Sequence, residues 1–482
     1  MQPWWTMGRG RPTEARVRQP LLALLAILAV LSLLWPRATV MPLSSYDQRF
    51  YLGIAYDLRQ HGTFTDGFSY AGGGPATLRP PGMRFTPLYP AFLATAASFD
   101  PGLRRGIACV EATAGRDPGC PLAAPVARGA QFLMLLAFYW LLWIAIAGAM
   151  GSRRAGWIGL GTGLLAAPLL LLSVNTLMTE TLTLVLSAAA CTLAASAVRQ
   201  PAATAWRTWL ATGIALGLAI LSRPAFLYLL YASLGCASLL LIRRPANRPA
   251  IARGVAAFAT GAAMPVLPWV LRNAIVLHRA ALSFGYASHT LVQRIAFDAM
   301  TPREYGLSFV CWLPDGSGLG RLIAGRHACD RFGWDEHADS FYSIGNGALM
   351  RQTLAAAGGW PHHMNYLVHH YLLAEPLRHL LVTIPLALRG LYVDHWWGAL
   401  LAPFSLWAML RAWRDRSSAA SAWPVLLLSM PPWFLLVFNA AVAVNQPRYN
   451  LLLVLPFALA AALAVERRLP RHGGATLPPA VS

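Results

Sequence analysis

The run Ser44-Ser45-Tyr46-Asp47-Gln48-Arg49-Phe50-Tyr51, continuing through Ala55 and Leu58 to His61-Gly62, follows directly on a long apolar stretch. A carboxylate a few residues outside a membrane-crossing helix, at the head of a short interfacial helix, sits near headgroup level. There Asp47 could take a proton as a general base. Its simpler role is to cap a helix over 47–60, which Asp does well. Further along, Leu78-Arg79-Pro80-Pro81-Gly82, Arg84 and Thr86-Pro87-Leu88-Tyr89-Pro90 stiffen the chain before a short apolar helix. Arg79 and Arg84 could face a phosphate, or snorkel at the interface. Three more polar groups interrupt apolar surroundings: Thr179-Glu180, Arg272-Asn273 and Asn445-Gln446-Pro447-Arg448-Tyr449. Ionisable groups at membrane depth are costly, so each needs a partner, an anchoring role or a task.

The elements that must position these residues are set by composition. Of 482 residues, 56% are hydrophobic and 12% charged, unlike a soluble domain. Apolar runs recur from Leu21 to Val465, many near the length that crosses roughly 30 Å of hydrocarbon. The expected fold is an all-α polytopic membrane protein with about ten transmembrane helices, near 20–36, 128–150, 157–174, 181–198, 208–221, 225–242, 254–271, 397–410, 423–443 and 450–465. The segment 208–242 reads as two helices around Ser222-Arg223-Pro224 in preference to one kinked helix. No small-residue cleavage site follows Trp35-Pro36-Arg37, so the first span is expected to be retained.

The net charge of +20 comes from 39 basic residues, all of them Arg. That bias suggests a GC-rich bacterial genome and excludes Schiff-base chemistry, and the placement of the charges argues for a membrane and not for nucleic acid. The N-terminus, the C-terminus and the loops 151–156, 199–207, 243–253 and 411–422 hold 18 Arg against Glu14, Asp415 and Glu466. This density in short loops puts them on the cytoplasmic side, N-in and C-in. Two long segments, about 37–127 and 272–396, are then outside, with interfacial helices at 46–60 and 88–98 and an Arg- and His-bearing apolar stretch at 366–392. Cys109 with Cys120 and Cys311 with Cys329 fall in these outer loops and are expected to form disulfides, while Cys191 and Cys236 lie in apolar spans.

No Walker loop, Rossmann glycine pattern, HExxH, zinc-type Cys/His spacing or GxSxG elbow occurs. Glycines at 159, 161 and 163, and at 213 and 217, suit close helix packing. His362-His363 and His369-His370 share a face at i and i+7 if helical, yet packing is the expected role and no metal is predicted.

The ordered set Tyr46-Asp47…Tyr51…Gly62, Pro80-Pro81…Pro87-Leu88-Tyr89-Pro90, Gly217…Ser222-Arg223-Pro224, Pro268-Trp269…Arg272-Asn273 and Pro447-Arg448-Tyr449…Pro456 resembles the GT-C glycosyltransferases. The nearest relatives by this likeness are the aminoarabinose lipid A transferases, protein O-mannosyltransferases and rhizobial lipopolysaccharide glycosyltransferases. The resemblance implies a transmembrane glycosyltransferase domain over 20–465, between a cytoplasmic N-terminus 1–19 and tail 466–482. It implies an inverting, EC 2.4-class transfer of a hexose- or pentose-type sugar from a polyprenyl-phosphate donor to an acceptor hydroxyl of a lipid, glycan or protein, at the periplasmic face of a bacterial inner membrane. By the same likeness Asp47 is the base, Glu180 a second acid, Arg448 a donor-phosphate contact, and Arg79, Arg84, Arg223 and Arg272 further phosphate candidates. Gln48 departs from the pattern where many relatives carry a second acid, which leaves no acidic pair for a metal. A transporter or flippase of a lipid-linked sugar would share the spans and arginines, but predicts an internal repeat that the sequence lacks.

Overall fold

The structure is a computed structural model and describes residues 14–37, 47–67, 79–113, 119–120, 123–243, 248–314, 318–334, 337–393, 396–416 and 422–468. Ser44, Ser45, Tyr46 and Leu78, with most of the predicted N-terminal segment and tail, lie outside these ranges. Among the described residues the secondary structure is helical, apart from one isolated bridge between Thr65 and Pro81.

The chain begins with α1 (Glu14–Leu34), then a first outer group of α2 (Gln48–His61), α3 (Leu88–Phe99) and α4 (Pro101–Ala112). A bundle follows: α5 (Pro125–Met150), α6 (Arg153–Leu164), α7 (Ala167–Asn175), α8 (Glu180–Ala197), α9 (Ala202–Ser222), α10 (Phe226–Arg243) and α11 (Arg248–Leu277). The second outer group holds α12 (Tyr286–Ile295), α13 (Pro302–Cys311), α14 (Leu319–Ala324), α15 (Arg326–Asp330), α16 (Phe341–Ile344), α17 (Met350–Ala356), α18 (Trp360–Leu367) and α19 (Pro376–Leu391). The chain closes with α20 (Trp396–Asp415), α21 (Ala422–Val442), a 3₁₀ run Pro447–Leu453, and α22 (Val454–Arg468).

Seven of the described helices are long and apolar enough to cross a membrane: α5, α8, α9, α10, α11, α21 and the continuous segment Pro447–Glu466. Two bent pairs raise the number to nine if each is one span. Seven to nine such helices among the described residues agree with the all-α, multi-span architecture expected from the sequence. The first expected span is helical as part of α1, whose apolar stretch includes Gln19–Leu34. The span expected at 397–410 is helical within α20 and carries no charged residue. The span expected at 157–174 is broken between α6 and α7 by 61°, with Pro168 opening the second piece.

Local chemistry explains other boundaries. Proline cannot donate a backbone hydrogen bond and clashes with the preceding turn, so Pro224 ends α9 and 208–242 forms two helices. Helices α9 and α11 meet through small residues: a Cβ on Gly213 would lie 2.1 Å from the Phe258 carbonyl oxygen, and one on Gly261 would lie 2.2 Å from that of Leu210. Gly159 and Gly163 press on Ile146 and Leu142 of α5, whereas Gly161 meets nothing within 4 Å.

Helices α2 and α3 stand at two of the segments expected to be interfacial, and both expected disulfides form, Cys109–Cys120 within the first outer group and Cys311–Cys329 within the second. Cys191 is buried, but Cys236 lies exposed on the outer face of α10. A π-helical turn at Val368–Leu372 shifts the register between the paired histidines, and the helix then bends by 96° into α19. His363 is buried with Nε2 2.9 Å from Thr353 Oγ1, while His370 lies against Tyr366. Among the described residues no three His, Cys, Asp or Glu side chains form a metal-ligating group.

Candidate active site

The site is assembled around the turn 176–179 between α7 and α8. A helix break leaves buried backbone groups that must find partners. Here four separate elements supply or brace them. Gln48 Oε1 at the start of α2 accepts from the Leu177 N–H at 2.8 Å. Gln131 of α5 donates to the Val174 carbonyl at 2.6 Å and accepts from the Tyr89 hydroxyl of α3 at 2.8 Å. The Trp35 indole, just past α1, donates to Asn175 Oδ1 at 2.7 Å. Gln48 is fully buried, so the residue that breaks the expected acidic pair is a structural pin. It ties the residue next to Asp47 to the turn that leads into Glu180, the first residue of α8.

Asp47 stands at the N-cap position of α2, yet its side chain makes no capping hydrogen bond. Among the described residues the carboxylate has no hydrogen-bond or ion-pair partner. Glu180 is 6% exposed, with Oε1 3.7 Å from Arg448 Nη1 and Oε2 buried without a hydrogen-bond partner. Arg448 is held in place by Gln446 Oε1 at 2.8 Å and by the Met178 sulfur at 3.3 Å. Arg223, at the end of α9, lies 4.1 Å above the Tyr449 ring, and Arg448 lies 5.3 Å from the same ring.

Two tyrosines close this constellation. Burial pushes the Tyr51 phenol well above its ordinary pKa, and the Asp47 and Glu180 carboxylates push the same way against Arg223 and Arg448. The Asp47 carboxylate is the first cause of a similar rise at Tyr286, with burial second. Both therefore stay protonated and can donate hydrogen bonds. Tyr286 opens α12, so the second outer group supplies the wall facing Asp47. Tyr51 follows Asp47 by one helical turn, a signal present in the sequence, whereas nothing local marks Tyr286.

The remaining sequence candidates separate. Arg84 is buried with its guanidinium 5.8 Å from the Tyr286 ring and 5.7 Å from Trp360, at the edge of the cluster. Arg79 is not brought there. It is buried between Asp57, at 2.9 Å, and Glu111, and ties α2 to α4. Arg272 is also committed elsewhere: it donates to the Gly82 carbonyl at 2.7 Å and the Phe64 carbonyl at 2.9 Å, pinning the first outer group to the end of α11. Beside it lies a cavity of about 420 Å³, lined largely by apolar residues including Leu58, Phe64, Pro81, Trp269 and Val276.

Fold and cluster together define an all-helical, multi-pass membrane protein with a half-buried acid–arginine centre beneath two outer helical groups. Among solved structures, the chain is similar to ArnT from Cupriavidus metallidurans bound to undecaprenyl phosphate, with 14% identity and a TM-score of 0.47, over 94% of this chain and 60% of that one. It is also similar to the oligosaccharyltransferase from Archaeoglobus fulgidus in the apo form, with 13% identity and a TM-score of 0.47, over 96% of this chain and 51% of that one. A third is AglB of the same organism in complex with an inhibitory peptide and a dolichol-phosphate, with 12% identity and a TM-score of 0.47, over 94% and 50%. The chain thus spans between half and three fifths of the length of these structures. No protein-family model matches the sequence, and no curated protein matches it.

Proposed function

We propose that the chain is a glycosyltransferase that moves a hexose- or pentose-type sugar from a polyprenyl-phosphate donor to an acceptor hydroxyl, with inversion, at the periplasmic face of a bacterial inner membrane, with both chain ends cytoplasmic. The observation that carries this reading is a carboxylate, Asp47, unbonded among the described residues and electrostatically coupled to the same groups as Arg448 and Arg223, whose guanidinium groups lie against the Tyr449 ring. Transfer of this kind needs those two functions side by side. The acceptor oxygen attacks the anomeric carbon and gives its proton to Asp47. The bond from that carbon to the donor phosphate oxygen breaks, and its electron pair leaves with the phosphate, whose charge Arg448 and Arg223 neutralise. Charge on the sugar ring develops in an oxocarbenium-like state, and Glu180, whose Oε2 has no hydrogen-bond partner, accepts from a sugar hydroxyl in this scheme. No metal enters this scheme, because Gln48 stands beside Asp47 and spends its oxygen on Leu177.

The test is transfer of radiolabelled sugar from polyprenyl-phosphate donors in membranes expressing the wild type or Asp47→Asn, with insertion and disulfide formation checked in both. Loss of transfer in a folded Asn variant supports the base assignment. Equal transfer by both removes Asp47 from the chemistry. Label that crosses the membrane without being transferred favours the transporter reading.

A further inference from the structure

At the far end of α2 from Asp47, a second cavity of about 330 Å³ opens between α2 and α4. Its walls are two matching helical faces: Tyr56, Arg59 and Gln60 at i, i+3 and i+4, opposite Arg104, Arg105 and Ile107. None of its described lining residues is acidic. Arg59 and Arg105 are exposed, and among the described residues neither has an ion-pair partner.

Among the described residues the local acids do not compensate this charge, because the fold has withdrawn them. Asp57 and Glu111, on the same two helices, are buried on Arg79. Asp100 is fully buried and accepts from the Leu103 N–H and the Val126 N–H, both at 2.9 Å. Arg104 also lines the cavity and donates to the Ser98 carbonyl at 3.1 Å, while among the described residues Arg59 and Arg105 keep their donors for a ligand. Arg79, bonded to Asp57 of α2 and Glu111 of α4, holds the two faces together, and the Cys109–Cys120 disulfide ties the end of α4 to the chain that follows it. Three guanidinium groups around one concavity, with an aromatic ring and an aliphatic side chain beneath them, are the donor set of a phosphate-ester site.

We infer that this cavity binds a phosphate ester on the acceptor molecule and so anchors it at a distance from the reacting hydroxyl. Arg59 is twelve residues along α2 from Asp47, roughly 18 Å at 1.5 Å per residue, so the anchored molecule would be elongated. The acceptor role rests on the proposed glycosyl transfer, whereas the existence of the phosphate site does not.

The experiment is isothermal titration of the full chain in phosphatidylcholine nanodiscs with glucose 1-phosphate, against potassium chloride at matched ionic strength. The variants are Arg59→Gln/Arg105→Gln, Arg59→Lys/Arg105→Lys and Asp47→Asn. The expected result is saturable binding that weakens at least about tenfold in the Gln pair, since each charge-assisted contact is worth about that factor, and is partly restored in the Lys pair. Asp47→Asn, which fails the transfer assay if the proposed function holds, keeps its binding. No saturable binding, or equal binding by wild type and the Gln pair, overturns the site. Loss of glucose 1-phosphate binding when phosphatidylglycerol replaces half the lipid, in the wild type alone, assigns the phosphate to the bilayer and overturns the acceptor role.

Discussion

Two clusters in this molecule set arginine against carboxylate and differ in how completely they are bonded. In the second outer group, fully buried Arg294 donates to Asp298 Oδ1 at 2.7 Å, the Ala440 carbonyl at 2.8 Å and the His379 carbonyl at 2.9 Å. Asp298 spends its other oxygen on His379 Nδ1 at 2.7 Å, and His379 Nε2 meets the Ala441 carbonyl at 2.8 Å. Burial would raise the Asp298 carboxyl, but His379 and Arg294 hold it below the usual range. Around Asp47 the bonding is incomplete: one carboxylate is unbonded among the described residues, and one buried carboxylate oxygen is orphaned at Glu180. Unspent bonding capacity in a buried place costs stability and is kept where a ligand completes it. The saturated cluster joins α12, α19 and α21; the unsaturated one is where chemistry is expected.

Substitutions can break this contrast. The largest effect is expected from Asp47→Asn: about a 10²- to 10⁴-fold loss of sugar transfer with an unchanged thermal midpoint, because the side chain contributes a proton transfer and no structural bond. Arg294→Ala should do the reverse. Removing one partner of a buried ionic network costs about 3–5 kcal/mol, read as a lowered thermal midpoint and faster proteolysis between α12 and α19, while the surviving folded protein still transfers. If Arg294→Ala were as stable as wild type, the saturated cluster would not be a structural clamp. Gly213→Val separates α9 from α11, since its Cβ would meet the Phe258 carbonyl; overpacking of this kind costs about 1–3 kcal/mol by denaturation in detergent.

The smallest effect concerns His289, between the clusters. Burial lowers its pKa to about 4 from 6.5, with the charges of Arg84 and His363 acting in the same direction against the Asn346 hydrogen bond. The folded state therefore holds it neutral, while the unfolded chain gains a proton near 6.5. Its contribution is full above that value and is lost as pH falls towards about 4. His289→Gln should flatten the fall in thermal midpoint between pH 7.5 and 5. An unchanged slope would assign the acid sensitivity to other groups.

The contrast also marks where a linear reading stops. Arg79 and Arg84 looked alike in one Pro-rich run, and only one lies near Tyr286; the other is consumed by Asp57 and Glu111, which are distant in sequence. Gln48 read as a missing acid and is instead the pin that ties the start of α2 to the turn leading into Glu180.

What the amino-acid sequence determined by itself was everything governed by period, composition and local sterics. Apolar runs must become helices because hydrocarbon offers no partner for an unpaired backbone group, proline sets where several of them break, and the oxidisable cysteines lie within reach of each other. The tertiary structure decided which charges are spent. Whether a guanidinium meets a carboxylate depends on contacts such as Arg448 to Glu180 or Arg272 to Gly82, which join residues far apart in the chain. Local sequence carries no record of that pairing, because the energy of a buried charge depends on what surrounds it and not on what precedes it.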